Sequence, residues 1–234
     1  MSNSTINAGA NTNTFPDRVK DYLVGNAWAS FIEIQRLIPD SLLFGSLFLF
    51  LLTKNKVFIV FTLFFLEVTA SHSLLNYAYK LFYGNSPVKT DAKCLSGFRT
   101  PRFAVERILM ADTYPSIGMF SVSAIASYLL SSMTAYKETL DTMGESWRIR
   151  YWVSVGLTIA FLLLFILGRL VSGCDTGMEI LLSLVFGGFF GFIFYLINSS
   201  IFGIESVNFL GLPYLVNKDT DKSQPIYVCT KELS

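Results

Sequence analysis

Three charged residues lie close together at the edge of an apolar segment, residues 168–188, which reads GRLVSGCDTGMEILLSLVFGG. Asp175 follows Arg169 by six residues, and Glu179 follows Asp175 by four, which places the two carboxylates one helical turn apart. A membrane interior tolerates such groups where they pair with one another or serve a function. An arginine guanidinium binds carboxylate or phosphate through two parallel hydrogen bonds. The series therefore predicts either a structural ion cluster at one end of a helix bundle or a site for a phosphorylated ligand.

The composition predicts a polytopic membrane protein. Of the 234 residues 52% are hydrophobic, 22 are Phe, and the mean hydropathy is +0.50. Charged residues make up 15% of the chain, whereas a soluble domain carries about 25%. Apolar runs near membrane length recur along the chain, and the net charge of +1 does not suggest nucleic acid as a partner. We expect an integral, multi-pass protein.

The cysteines indicate neither a metal site nor a bound cofactor. Cys94, Cys174 and Cys229 have no metal-ligand spacing and form no obvious disulfide framework. The sequence therefore predicts no metal and no cofactor.

The predicted fold is all-α, a bundle of about five transmembrane helices with an N-terminal interfacial amphipathic helix. A polar leader (1–15) precedes the interfacial helix (16–39), which has helical periodicity and is expected to end at Pro39. The bundle occupies 40–204 and a polar, exposed tail 205–234 follows. Within the bundle we predict five spans, at about 40–52, 57–82, 116–133, 150–170 and 177–202.

The connections between the spans differ in length and are polar. A long loop covers 83–115, and a shorter one covers 134–149. In the fifth span Ser183, Gly187 and Gly191 are spaced four apart, a small-residue face that allows another helix to approach closely. Lys and Arg are equally numerous on the two predicted sides of the membrane, so the positive-inside rule does not orient the chain.

Three polar segments fall on the same predicted side of the membrane. The loop brings basic residues in KCLSGFRTPRF, which begins at Lys93. The sequence PSIG, which contains Ser116 and Gly118, opens the third span, where unpaired backbone N–H groups favour an anion. Arg169 ends the fourth span. These segments together predict a site for a phosphate or a phospholipid headgroup.

In order and spacing the segments resemble the motifs of the type 2 phosphatidic acid phosphatase and haloperoxidase superfamily, K-x6-R-P, P-S-G-H and S-R-x5-H-x3-D. The resemblance covers about residues 41–200. In the first motif Lys93 and Pro101 are in register, while Thr100 stands in the arginine position. In the second motif Ser116 is kept and Gly118 stands in the histidine position.

The third motif reads G-R-x5-D-x3-E in this chain. Arg169 is kept, Asp175 replaces the nucleophilic histidine, and Glu179 replaces the aspartate that partners it. The resemblance implies that the three motifs converge, which would place Cys94 and Cys174 in neighbouring loops. Whether these two cysteines pair stays open.

The departures from the motifs predict a loss of catalysis. The family's chemistry uses one histidine as nucleophile and another to protonate the leaving group, and this chain has neither. Its single histidine, His72, lies in the second span, where we expect a packed, hydrogen-bonded residue. Asp175 would face a phosphodianion with like charge. We therefore expect a pseudoenzyme in which Asp175 itself fills the anion position at the start of the third span, with a retained anionic lipid as the alternative.

The predicted function is structural or scaffolding, or the binding of a phospholipid headgroup without cleavage. The expected partners are membrane lipids and other membrane or capsid-type proteins, in an endoplasmic-reticulum-type membrane or the internal membrane of a large DNA virus. Two alternatives remain open: an active lipid phosphate phosphatase that uses Asp175, and a small lipid or solute transporter with Glu67 and His72 as its polar line.

Overall fold

The computed structural model of the chain describes residues 15–84, 94, 114–142 and 144–208. The described part is helical and contains no strand, so the predicted all-α class is confirmed. Five α-helices are followed by a short 3₁₀ helix: α1 (Phe15–Thr53), α2 (Lys56–Tyr83), α3 (Ile117–Thr142), α4 (Glu145–Val171), α5 (Gly177–Phe202) and the 3₁₀ helix Ile204–Val207.

Each of the five α-helices contains a segment that is long and apolar enough to cross a membrane, for which about 20 residues are needed. These segments are Gly25–Thr53, Lys56–Phe82, Ile117–Glu138, Glu145–Val171 and Gly177–Phe202. The last four agree with the predicted spans to within a few residues in the apolar part of each helix. The chain thus has the architecture of a multi-pass membrane protein.

Helix α3 is the central helix of the bundle. It packs against both α4 and α5, and most of its span is buried, whereas α4 points most of its apolar side chains outward. Aromatic rings join α3 to its neighbours: the rings of Phe64 on α2 and Tyr128 on α3 are 4.2 Å apart, and Tyr128 meets Tyr195 on α5 edge to face at 5.9 Å. This aromatic core holds α2, α3 and α5 together.

The small-residue face predicted on α5 is confirmed as its contact with α3. A side chain added at Gly187 would collide with the carbonyl oxygen of Phe120, and one added at Gly191 with that of Ala124. The helices also exchange polar contacts, because Ser123 Oγ donates to the carbonyl oxygen of Leu184 at 2.9 Å. Close backbone approach therefore fixes α5 against α3.

The prediction that Pro39 ends a separate interfacial helix is wrong. Helix α1 continues through Pro39, and its membrane-length segment begins at Gly25 rather than at Asp40. Proline removes one helical hydrogen bond, but a membrane helix packed on its neighbours tolerates this loss. Here α1 is held on both sides of the proline, by Gln35, which bonds to α4, and by Ser46, whose hydroxyl lies 2.9 Å from that of Thr62 on α2.

The predicted loop 134–149 and the start of the predicted exposed tail also need correction, while residues 209–234 of the tail lie outside the described residues. Helix α3 extends to Thr142 and α4 begins at Glu145, so most of that loop is helical. Met133, Tyr136 and Leu140 on α3 pack against Tyr151 on α4, which stabilises the helix ends beyond the apolar segments.

The start of the tail folds back onto the bundle instead of lying exposed. Val207 in the 3₁₀ helix is buried, its carbonyl oxygen accepts from Ser132 Oγ at 3.0 Å, and that of Ile204 accepts from the Tyr136 hydroxyl at 2.6 Å.

Candidate functional site

Four parts of the chain meet at one end of the bundle. They are Cys94, the start of α3, the end of α4, and the connection from α4 to α5. Ser116 immediately precedes α3, Arg169 lies in the last turn of α4, and Asp175 lies just before α5. All three residues are buried. We call Arg169, Asp175, Ser116 and Cys94 the α3–α4 end cluster.

Arg169 and Asp175 form a bidentate ion pair at the centre of this cluster. Arg169 Nε donates to Asp175 Oδ2 at 2.6 Å, and Nη2 donates to Oδ1 at 3.1 Å. The side chains of Arg169 and Asp175 are 4% and 0% exposed, so the pair is shielded from solvent. Paired, hydrogen-bonded geometry of this kind is what makes a buried charge tolerable.

The remaining donors of Arg169 are also engaged. Nη2 donates to Ser116 Oγ at 3.2 Å, and Nη1 donates to the carbonyl oxygen of Cys94 at 3.1 Å. Ser116 Oγ in turn donates to Asp175 Oδ2 at 3.0 Å. Every guanidinium nitrogen therefore has an acceptor, and both carboxylate oxygens of Asp175 have a donor.

A disulfide between Cys94 and Cys174 closes the cluster from outside. The Cα atoms of the two cysteines are 5.1 Å apart, and the residues are 80 apart in sequence. The bond fixes the backbone of Cys94, whose carbonyl oxygen accepts from Arg169, beside Asp175, the residue after Cys174. The expectation that the two cysteines lie in neighbouring loops is confirmed, and the structure adds that they pair.

Glu179 caps the N-terminus of α5. Its Oε2 accepts from the backbone N–H of Thr176 at 2.7 Å, and its own N–H donates to Thr176 Oγ1 at 3.3 Å. This reciprocal arrangement is a capping box. The sequence TGME, residues 176–179, carries the signature of a capping box, a local signal for Glu179 that is independent of any catalytic motif.

The other predicted site residues have different outcomes. Gly118 lies in the first turn of α3, buried and two residues after Ser116. Lys93 and Pro101 lie outside the described residues, so their predicted contact with a phosphate stays a prediction. The expectation for His72 is confirmed, since it is buried and its Nε2 lies 2.6 Å from the carbonyl oxygen of Pro115, the residue before Ser116.

Sequence reasoning missed the contribution of α1 to this end of the bundle. Gln35 Nε2 lies 3.3 Å from the carbonyl oxygens of Leu164 and Phe165 on α4, and its side chain fills the space beside Gly168. Arg36 is buried and ion-paired with Glu33. The adjacent polar residues Gln35 and Arg36 were a usable sequence signal that α1 packs against the other helices.

Within the cluster Arg169 and Asp175 neutralise each other's charge. A nucleophilic carboxylate needs an oxygen that is free to attack, and a phosphate needs guanidinium donors that are free to bind. Asp175 and Arg169 satisfy each other instead. Among the described residues no group of His, Cys, Asp and Glu is placed to hold a metal ion.

Comparisons with known proteins give no match. No protein-family model, no curated protein and no solved structure matches the chain.

Proposed function

We propose that this chain is a non-catalytic, structural membrane protein with a phosphatase-like arrangement of helices. The observation that carries the proposal is that Asp175, Ser116 and Cys94 accept hydrogen bonds from all three guanidinium nitrogens of Arg169. These hydrogen bonds are 3.2 Å or shorter. In this proposal Asp175 acts as an internal anion at the start of α3, where a substrate phosphate would otherwise bind.

The electrostatics of the cluster favour this function over lipid phosphate hydrolysis. A phosphate entering beside Arg169 would have to displace Asp175 or lie next to it with like charge. The cluster also lacks a histidine that could protonate a leaving group, since His72 is bonded to the carbonyl oxygen of Pro115. The alternative of an active phosphatase that uses Asp175 has no comparable support.

A hydrolysis assay tests the catalytic half of the proposal. We expect the purified protein to release no phosphate from phosphatidic acid, and Asp175→Asn to behave in the same way. Glu145→Gln is the matched control, because Glu145 is an exposed carboxylate in the first turn of α4. Turnover by the wild type that Asp175→Asn abolishes and Glu145→Gln preserves would make the chain an enzyme and overturn the proposal.

Native mass spectrometry of the detergent-extracted protein tests whether Asp175 occupies the anion position at the start of α3. If Asp175 fills that position, the wild type shows no preference for anionic over zwitterionic phospholipid, and Asp175→Asn gains one. Anionic lipid retained on the wild type and released by Arg169→Ala would instead assign a lipid headgroup to the site.

The disulfide supports a definite orientation in the membrane, which the balanced distribution of Lys and Arg does not. Structural disulfides persist in oxidising compartments. We therefore assign the end that carries Cys94 and Cys174 to the lumenal or extracellular side. The tight turn between α1 and α2 and the turn between α3 and α4 then face the cytosol. An internal virion membrane derived from such a compartment is compatible with this orientation.

A further inference from the structure

A second polar cluster lies within the membrane-spanning part of the bundle, away from the α3–α4 end cluster, and its members are the buried Tyr128 and Asn198 and the half-buried Glu67. Glu67 lies eleven residues into α2, Asn198 lies four residues before the end of α5, and Tyr128 lies in the middle of α3. Asn198 Nδ2 donates to Glu67 Oε2 at 3.0 Å. Tyr128 is 1% exposed and Asn198 0%, and Tyr128 lies close enough to both partners to interact electrostatically. Three membrane-spanning helices thus contribute one polar group each.

No basic side chain among the described residues pairs with Glu67. Within the part of the chain that the structure describes, Glu67 has no ion pair with Lys, Arg or His. The basic residues of α2 and α3 lie at the ends of those helices, at Lys56, Lys80 and Lys137, and α5 contains none.

The other described ionisable groups on α2 and on the elements packed against it form no ion pair with Glu67 either. They include Tyr128 on α3, Tyr195 on α5, His72 on α2, Asp40 and Arg36 on α1, and Glu205 in the 3₁₀ helix. The ring of His72 is turned to Pro115, and Arg36 is paired with Glu33. The two tyrosines are neutral, and Asp40 and Glu205 carry the same sign as Glu67. An intramembrane carboxylate without a basic partner is costly and indicates a functional site.

Two further oxygen atoms of the cluster lack partners. The Tyr128 hydroxyl and Asn198 Oδ1 are buried, and among the described residues neither has a hydrogen bond of ordinary length, although the Asn198 amide lies close to the Tyr128 hydroxyl. Unpaired polar atoms are unfavourable in an apolar interior. An amide can also turn over and exchange its nitrogen for its oxygen, because the two ends have nearly the same shape. With the amide turned, Asn198 Oδ1 would face Glu67, an arrangement that a positive charge between the two oxygens stabilises.

We propose that Glu67, Asn198 and Tyr128 form an intramembrane site that binds one positive charge, supplied by a proton or by an alkali-metal cation such as Na⁺. Either ligand neutralises the carboxylate. A proton gives Glu67 a donor that the amide oxygen accepts, whereas an alkali cation takes the oxygens of all three side chains as ligands. The site is separate from the α3–α4 end cluster and does not depend on the structural function proposed for it.

Modification by dicyclohexylcarbodiimide tests this site on the intact protein in mild detergent. This reagent attacks protonated carboxyl groups in apolar surroundings, and mass spectrometry locates the product. We expect Glu67 to be modified in choline chloride, and modification to fall as the pH rises. If the ligand is an alkali cation, replacing choline by Na⁺ reduces the modification several-fold; if it is only a proton, Na⁺ has no effect. Absence of modification at every pH at which the protein stays folded, together with a melting temperature insensitive to Na⁺, overturns the proposal.

Substitutions test whether the named residues cause the dependence of the melting temperature on pH or Na⁺. Glu67→Gln replaces the carboxylate by a neutral group of the same shape, so we expect it to abolish the dependence of the melting temperature on pH or Na⁺. Glu138→Gln, at an exposed position on α3, is the matched control and retains the dependence. Tyr128→Phe removes only the hydroxyl and should weaken protection by Na⁺ several-fold if the ligand is an alkali cation. A Glu67→Gln protein with the wild-type response would assign the response to another group and end the proposal.

Discussion

At the scale of single residues, Arg169 determines the structure of the disulfide-linked end of the bundle. Its guanidinium joins α4 to Asp175, to Ser116 at the start of α3 and to the backbone of Cys94. The cost of burying a cation is offset because every nitrogen has an acceptor and the central partner is a carboxylate. The residue therefore connects three segments that are distant in sequence.

This connection predicts a large loss of stability when Arg169 is removed. Arg169→Ala leaves the carboxylate of Asp175 buried without its cation, which costs about 3–5 kcal/mol. Arg148→Ala is the matched control, because Arg148 pairs with Glu145 at 3.5 Å while both side chains are more than half exposed. An exposed pair contributes about 0–1 kcal/mol. Thermal unfolding in detergent compares the two, and equal shifts of the melting temperature would show that the ion pair is not structural.

The pairing of Arg169 with Asp175 could be predicted from the sequence, whereas the capping role of Glu179 could be found only by comparing it with Thr176. A cation and a carboxylate six residues apart, across the end of a membrane helix, have few other partners in an apolar segment. The charge of Glu179 and its position one turn after Asp175 predict membership of the same ion cluster. Thr176 is closer to Glu179 in sequence, and the two residues bond to each other in a capping box at the start of α5.

At the scale of helices, hydropathy predicted the spans well and the polar boundaries poorly. A run of apolar residues identifies the part of a helix that lies in hydrocarbon, but a helix continues beyond it wherever its side chains find a packing surface. Tyr136 and Leu140 of α3 do so against α4. Pro39 misled the prediction for a related reason: the penalty for proline in a helix is local, and contacts of α1 with both α2 and α4 outweigh it.

The contact between α3 and α5 gives a prediction at this scale. Gly191→Ala places a methyl group against the backbone of Ala124, which cannot move without shifting α3, so we expect a loss of about 1–3 kcal/mol. Gly188→Ala is the matched control. The added Cβ at Gly188 would lie 3.6 Å from Ser123 Oγ, an ordinary contact, and alanine is the better helix former by up to about 1 kcal/mol. Melting temperatures that fall equally in both variants would contradict the close approach of the helices.

At the scale of the whole molecule, the two ends of the bundle differ in chemistry. One end holds the disulfide and the buried ion pair, and it receives the start of α1 and the beginnings of α3 and α5. The other end holds the tight turns, where Lys54, Lys56 and Arg150 are exposed. Counting basic residues along the sequence does not separate these ends, since the count includes loop residues on both sides. The pairing of two cysteines 80 residues apart does separate them, because it depends on the three-dimensional structure.

This asymmetry predicts which end is accessible from outside the cytosol. Met178 lies exposed in the first turn of α5 at the disulfide end, and Glu145 lies exposed in the first turn of α4 at the opposite end. In a Cys229→Ser background and in sealed vesicles that expose the cytosolic face of the membrane, we expect a membrane-impermeant maleimide to label Glu145→Cys but to label Met178→Cys only after the vesicles are permeabilised. Cys94 and Cys174 should not react unless a reductant is added, since both sulfur atoms are in the disulfide. The reverse pattern of labelling would place the disulfide in the cytosol, and it would show that the bond is maintained by burial within the protein rather than by an oxidising compartment.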